Sequence, residues 1–188
     1  MDDILDLHRR AAAEFDRRIA AIGEDQWDRP TPCTDWNVRD LVRHLVYENV
    51  WVPDLMAGAT VAEVGDRYEG NLLGDDPKGA WQDALRTAID ELSAAGALDR
   101  TVHLSYGDEL AGEYLAQLTL DHAVHAWDLA QAIGAAGDLD PELVEHLWQV
   151  WSPRGEMIRG SGVFADEVDV PADADTQTRL LGLLGRRR

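Results

Sequence analysis

The sequence predicts an all-α protein, a four-helix bundle with a short C-terminal extension. Three observations carry that expectation. Four long segments repeat apolar residues at the helical period, with charged residues between them. Their ends carry residues that start or stop helices. The second connection is long, as crossover connections in such bundles are.

The elements follow in order. Residues 1–22 read as the first helix, with Ile4, Leu5, Leu7, Ala11, Ala12, Phe15, Ile19 and Ile22 at a helical period and Gly23 as its stop. EDQWDRPTPCTDW, with two prolines and several turn formers, reads as a loop. A second helix starts at the N-cap Asn37, carries Val38, Leu41, Val42, Leu45 and Val46, and is expected to end near Pro53. Residues 57–77, rich in glycine and acids, read as a long loop or lid. The third helix is expected over 78–95, with Trp81, Leu85, Ile89 and Leu92 on one side and Gly96 after it. DRTVHLSYGDEL alternates Val102, Leu104 and Tyr106 before Gly107-Asp108, the pattern of a short hairpin or an extended crossing segment. A fourth long helix spans 111–133 and Gly134 ends it, while Pro141 opens a fifth, shorter one reaching Trp151. VFADEVDVP alternates like one strand, and ADTQTRLLGLLG reads as a closing helical turn or two. The bundle is thus expected over 1–155, with an extension packed on it over 156–188.

Composition narrows the function. The chain has 188 residues, enough for a core without staples, and its single cysteine, Cys33, rules out an internal disulfide. A net charge of −19 argues against nucleic acid and against anionic membrane surfaces, both of which demand a basic footprint. The acidic start MDDILDLHRR lacks the basic and apolar regions of a signal peptide, and no apolar run reaches the length of a membrane span. A cytoplasmic protein acting on a small molecule is the expectation. The apolar faces such a bundle leaves exposed are compatible with a homodimer.

The chemistry concentrates in DHAVHAWDL on the fourth helix. Residues four apart stack on one face, so Asp121 and His125 can converge on one ion, with a carboxylate and an imidazole between them. Their stripe continues through Tyr114, Leu118, Leu129 and Ala132, which points the pair inward, where a cation would offset the buried charge. His44, among Leu41, Leu45 and Val46 on the second helix, supplies a third ligand from a facing element. Three protein ligands with an open position describe a catalytic zinc site, and imidazole with carboxylate also suits nickel, iron or manganese. The same Asp-x3-His spacing also fits an ordinary hydrogen-bonded pair, and His122, three residues before His125, competes with Asp121 for the ligand role. Asp128 lies where it can orient the His125 ring through its other nitrogen, or it is a surface charge. Tyr47 can line the site or pack in the core. Trp36 and Trp127 read as packing anchors, Cys33 as part of a turn that positions the second helix, and His8, His103 and His146 as solvent-facing or incidental.

PCTDWNVRDLVRHL, followed much later by DHAVHAWDLAQAIG, resembles actinobacterial metal-binding proteins of the DinB-like superfamily, in particular those related to the N-terminal domain of mycothiol-dependent maleylpyruvate isomerase. The ending ADEVDVPADADTQTRLLGLLGRR is similar to the tail of one subgroup, so the resemblance covers nearly the whole chain. It implies an up-down-down-up bundle with one divalent metal on three ligands, the first histidine motif falling on His44 and the last on His125. This sequence has Asp121 where the isomerase has glutamate, and it is too short to hold the isomerase's separate C-terminal domain. What the resemblance implies is therefore the scaffold, the metal and a link to low-molecular-weight thiols.

Three functions follow. The first is a mycothiol-dependent transferase or isomerase in which the metal, zinc before nickel or iron, activates the thiol. The second is a thiol-independent metal hydrolase or lyase, with Asp128 or Tyr47 assisting proton transfer. The third is a non-catalytic protein that binds a metal or a small molecule.

Overall fold

The computed structural model describes residues 3–188, so the start of the first predicted helix, Met1 and Asp2, lies outside the described residues. Two compact units make up the chain, Met1–Gly137 and Asp138–Arg188. Residue 155, where the sequence reading set its boundary, is the first residue of a helix in the second unit.

In the first unit, α1 (Ile4–Ala20) begins at Asp3, whose carboxylate accepts the Leu5 N–H. It stops short of Ile22, which lies buried beyond it. α2 (Val38–Met56) opens with a capping box in which Asn37 and Asp40 satisfy each other's backbone N–H groups. It runs through Pro53 rather than ending there. A proline in the last turn forfeits one backbone bond, and Val52, Leu55 and Met56 are buried around it.

The connection after α2 contains a single helical turn, α3 (Val61–Val64), with its own capping box of Thr60 and Glu63. It is fastened to α2: Arg67 and Tyr68 both bind Asp54, at 2.6 Å, and Arg43 donates to the Gly70 carbonyl. α4 (Pro77–Leu92) starts with proline in its first turn after the N-cap Asp76, and ends three residues before the expected stop at Ala95. DRTVHLSYGDEL forms the hairpin, β1 (Thr101–Leu104) paired antiparallel with β2 (Gly107–Leu110). α5 (Ala111–Ile133) ends at Gly134, whose φ of 73° is the left-handed cap that glycine adopts without strain.

The four long helices pair as α1 with α5 and α2 with α4, and α2 also touches α5. The order is up-down-down-up, as the long connection between α2 and α4 permits. Phe15 and Trp81 pack ring to ring at 4.7 Å in the core, with Leu7, Leu41, Leu45, Leu115 and Leu129 fully buried. α5 is buried on nearly every face. That matters for function, because any polar side chain on it must find a partner inside the protein.

The second unit holds α6 (Pro141–Trp151), α7 (Gly155–Ser161) and α8 (Thr176–Leu183). The strand expected in VFADEVDVP does not form. Among the described residues of the second unit no other strand offers it a ladder, and its Val168 N–H bonds instead to the carbonyl of Gly182 in α8.

Candidate metal centre

α2 and α5 bring His44, Asp121 and His125 together. His44 Nε2 lies 3.1 Å from Asp121 Oδ2, and His125 Nε2 lies 3.2 Å from Asp121 Oδ1. One carboxylate therefore faces an imidazole with each oxygen, and a ligand atom from each of the three lies within 4.8 Å of the others. The two imidazole rings meet edge to face at 5.0 Å.

His122 is not part of this group. It points the other way, into the core, where its Nδ1–H donates to the Leu118 carbonyl at 2.8 Å and its Nε2 accepts from Asn49 at 3.0 Å. Burial keeps it neutral and lowers its pKa to about 4. His8 corrects the sequence reading. It is fully buried, packed edge to face on His122 at 4.8 Å, and burial drives its pKa well below the ordinary value. The sequence signal was present, since His8 falls between Leu5 and Ala12 on the apolar stripe of α1.

A second layer of carboxylates backs the imidazoles. Asp128, fully buried, accepts from His125 Nδ1 at 3.0 Å. Glu48, one turn beyond His44 on α2, places Oε1 4.0 Å from His44 Nδ1. The sequence reading passed over Glu48, although its spacing from His44 is the same as that between Asp121 and His125. Cys33 was also undervalued. Its thiol donates to Asp128 Oδ2 at 3.2 Å and lies 3.7 Å from His125 Nδ1. No local pattern could announce a contact across 95 positions.

The loop before α2 aims these groups. Trp36 N–H bonds to the Cys33 carbonyl and Thr31 N–H to the Trp36 carbonyl, closing a tight turn. Asp35 within it has a φ of 71°, a left-handed conformation that Asp tolerates better than most residues. The turn sets the Trp36 indole 4.8 Å from the His44 ring and 5.8 Å from the His125 ring. Trp36 thus packs against the candidate ligands themselves.

Electrostatics match the geometry. Burial opposes the charge on Asp121, but the His125 and His44 charges and their hydrogen bonds outweigh it and hold the carboxyl well below its usual range. Burial likewise opposes charge on His125, and the Asp121 charge, with hydrogen bonds from the ring to Asp121, Asp128 and Cys33, lifts its pKa well above the ordinary value. Glu48 goes the other way: burial and the Asp121 charge push it up to about 7, against the pull of the two histidines.

An open cleft of about 430 Å³ meets the cluster at His44, the one of the three candidate ligands that lines it, together with Asp35, Trp36, Asp40, Arg43, Tyr47 and Glu48. Tyr47 is on its wall, half-buried, with the Arg43 guanidinium over its ring. Asp128, by contrast, lies behind His125 and does not line the cleft.

The donor set fits a divalent transition metal. Two imidazole nitrogens and one carboxylate converge, and the far nitrogen of each ring faces a further carboxylate. A second group, Cys33, His125 and Asp128, also has donor atoms within 4.8 Å of one another.

The chain is similar to proteins of known sequence and structure. Two uncharacterised proteins of Mycobacterium tuberculosis, Rv0738 of strain H37Rv and MT0763 of strain CDC 1551, are each 35% identical to it over 186 residues, 98% of either chain. Among solved structures, the mycothiol-dependent maleylpyruvate isomerase superposes with a TM-score of 0.61 at 17% identity, over 91% of this chain and 77% of that one. A mutant of the same isomerase gives 0.62 at 16% identity, with the same coverage. At such identities the likeness concerns the fold, the DinB-like bundle. Residues 8–130, which contain α2, most of α5 and the whole cluster, match the family model of the mycothiol maleylpyruvate isomerase N-terminal domain, and the chain belongs to that family.

Proposed function

We propose that this protein binds one divalent transition metal on His44, Asp121 and His125 and is a mycothiol-dependent transferase or isomerase of the cytoplasm. The observation that carries the reading is the convergence of those three side chains beside an open cleft, each imidazole backed by a carboxylate. The family and the solved structures, whose names include mycothiol, support the choice of thiol. Zinc, nickel or iron held there would supply a Lewis acid that favours the thiolate of a bound thiol at neutral pH.

The chain's own residues then have distinct tasks. Asp121 offers a full negative charge, already favoured by its surroundings, to offset a cation. Asp128 takes the Nδ1–H of His125, which leaves Nε2 to face Asp121 and His44. Trp36 packs against both rings and braces their orientation from the cleft side. Tyr47 presents an aromatic wall and a hydroxyl to whatever enters the cleft. Arg43, beside it, offers the cleft a cation among acids.

One observation favours a second reading. Glu48 lines the cleft with a pKa near 7, so at neutral pH it can both take and return a proton, as a hydrolase or lyase needs. Activity that needs no thiol would select that reading.

The test is elemental analysis of the purified protein beside its His125→Ala variant. About one metal per chain in the wild type and none in the variant is the expected result. A wild type that holds no metal and takes up neither zinc, nickel nor iron would overturn the proposal. With the metal in place, calorimetric titration with mycothiol should show saturable binding that a chelator abolishes.

A further inference from the structure

We infer that Cys33 is a positioning residue for the candidate metal centre, acting on His125 through Asp128. The inference rests on the metal reading above for its functional meaning, but its geometry stands apart from it. The Cys33 thiol donates to Asp128 Oδ2 at 3.2 Å, and the same oxygen accepts the Nδ1–H of His125 at 3.0 Å. Asp128 is fully buried and His125 nearly so, whereas Cys33 is half-buried, so the thiol is the outermost link of the chain.

Two donors on one carboxylate oxygen fix it in place. The carboxylate cannot rotate away from His125 without also giving up the thiol. The imidazole is thereby held with Nδ1–H on Asp128, which turns Nε2 toward Asp121 and His44, where its lone pair would be available to a bound cation.

The turn that carries Cys33 is itself closed. The Cys33 carbonyl accepts the Trp36 N–H at 3.1 Å, and its N–H reaches the Thr31 hydroxyl at 3.1 Å. The same turn sets Trp36 over both histidine rings. One short segment therefore controls the ring orientation of His125 from two sides, by hydrogen bonding from behind and by packing from the cleft. A hydroxyl in place of the thiol keeps the donor to Asp128, and a methyl group does not.

The experiment compares wild type with Cys33→Ala and Cys33→Ser. Because Cys33 is the only cysteine in the chain, the infrared S–H stretch of the metal-free wild type belongs to it alone. A band displaced to low frequency, as donation to a carboxylate requires, supports the inference, and a band at the free-thiol position overturns it. Cobalt(II) affinity, measured by competition with a chelator, should fall about 10-fold in Cys33→Ala, as loss of an outer hydrogen-bond partner does, and return to within about 2-fold of wild type in Cys33→Ser. Equal affinity in all three proteins overturns the inference. If the wild type takes up no cobalt, the metal reading has failed on its own, and ring ¹⁵N NMR decides the positioning. Spectra of the metal-free proteins above the His125 titration should show Nδ1–H in wild type and Cys33→Ser, with Nε2–H growing in Cys33→Ala. An unchanged tautomer in Cys33→Ala overturns the inference.

Discussion

Acid should destabilise the metal-free protein through His122. Burial pulls the pKa of this imidazole from 6.5 to about 4 in the folded state, while the unfolded chain keeps the ordinary value of about 6.5. Between those values the unfolded ensemble takes up a proton that the folded state refuses. Stability is therefore complete above the unfolded pKa and is lost as pH falls toward the folded one. The gap, 6.5 minus about 4 or roughly 2.5 units, corresponds to about 3 kcal/mol at about 1.36 kcal/mol per unit. Roughly 2.5 kcal/mol of that is gone at about pH 4.5, a large share of the ~5–15 kcal/mol that holds a domain together. Buried His8 adds a loss of the same sign. Asp121, held low by its histidines, also contributes in acid, so the measurement must isolate His122. His122→Asn does so: an amide at this position can donate to the Leu118 carbonyl, just as Asn49 donates to the Leu45 carbonyl four residues before it. The assay is urea unfolding followed by tryptophan fluorescence, with chelator present, at about pH 7.5 and about pH 4.5. Wild type should lose about 2.5 kcal/mol more than the variant between the two conditions. Equal losses would refute the reasoning, because they would mean that folded His122 accepts the proton.

Other consequences concern packing and backbone. Leu115→Ala empties a fully buried position in the core and should cost about 3 kcal/mol in denaturant unfolding; a cost below ~1 kcal/mol would mean that the bundle closes over the cavity. Asp35→Gly relieves a left-handed residue at φ 71°, so its unfolding free energy in denaturant should match or exceed that of wild type, whereas that of Asp35→Val should fall by about 1–2 kcal/mol. In α8, Gly182→Ala gains up to about 1 kcal/mol of helix propensity. The new methyl, however, would sit 2.7 Å from Val170 Cγ1 and 3.0 Å from the Val168 carbonyl. Overpacking of about 1–3 kcal/mol should win, and a stabilised variant would contradict the close approach of that segment to the helix.

Much of this protein was legible in the amino-acid order because helices are local. The apolar period, the Asn37–Asp40 box, Pro141 and Gly134 fix where the chain coils and which side of each helix turns inward. The Asp121–His125 pair was visible for the same reason, since residues one turn apart share a face whatever the rest of the fold does. The alternation in VFADEVDVP misled, because a strand needs a partner and none stands beside it among the described residues of its unit. Choosing Asp121 over His122 to stand beside His44 depended on how α2 docks on α5, which sets a contact across 77 positions. The burial of His8, the turn of Trp36 onto two histidines and the reach of Cys33 to Asp128 were likewise settled between elements rather than within them. Period and caps, then, come from interactions a few residues long and can be read from the sequence. The partners of a buried polar group come from the packing of distant helices, and only the tertiary structure decides them.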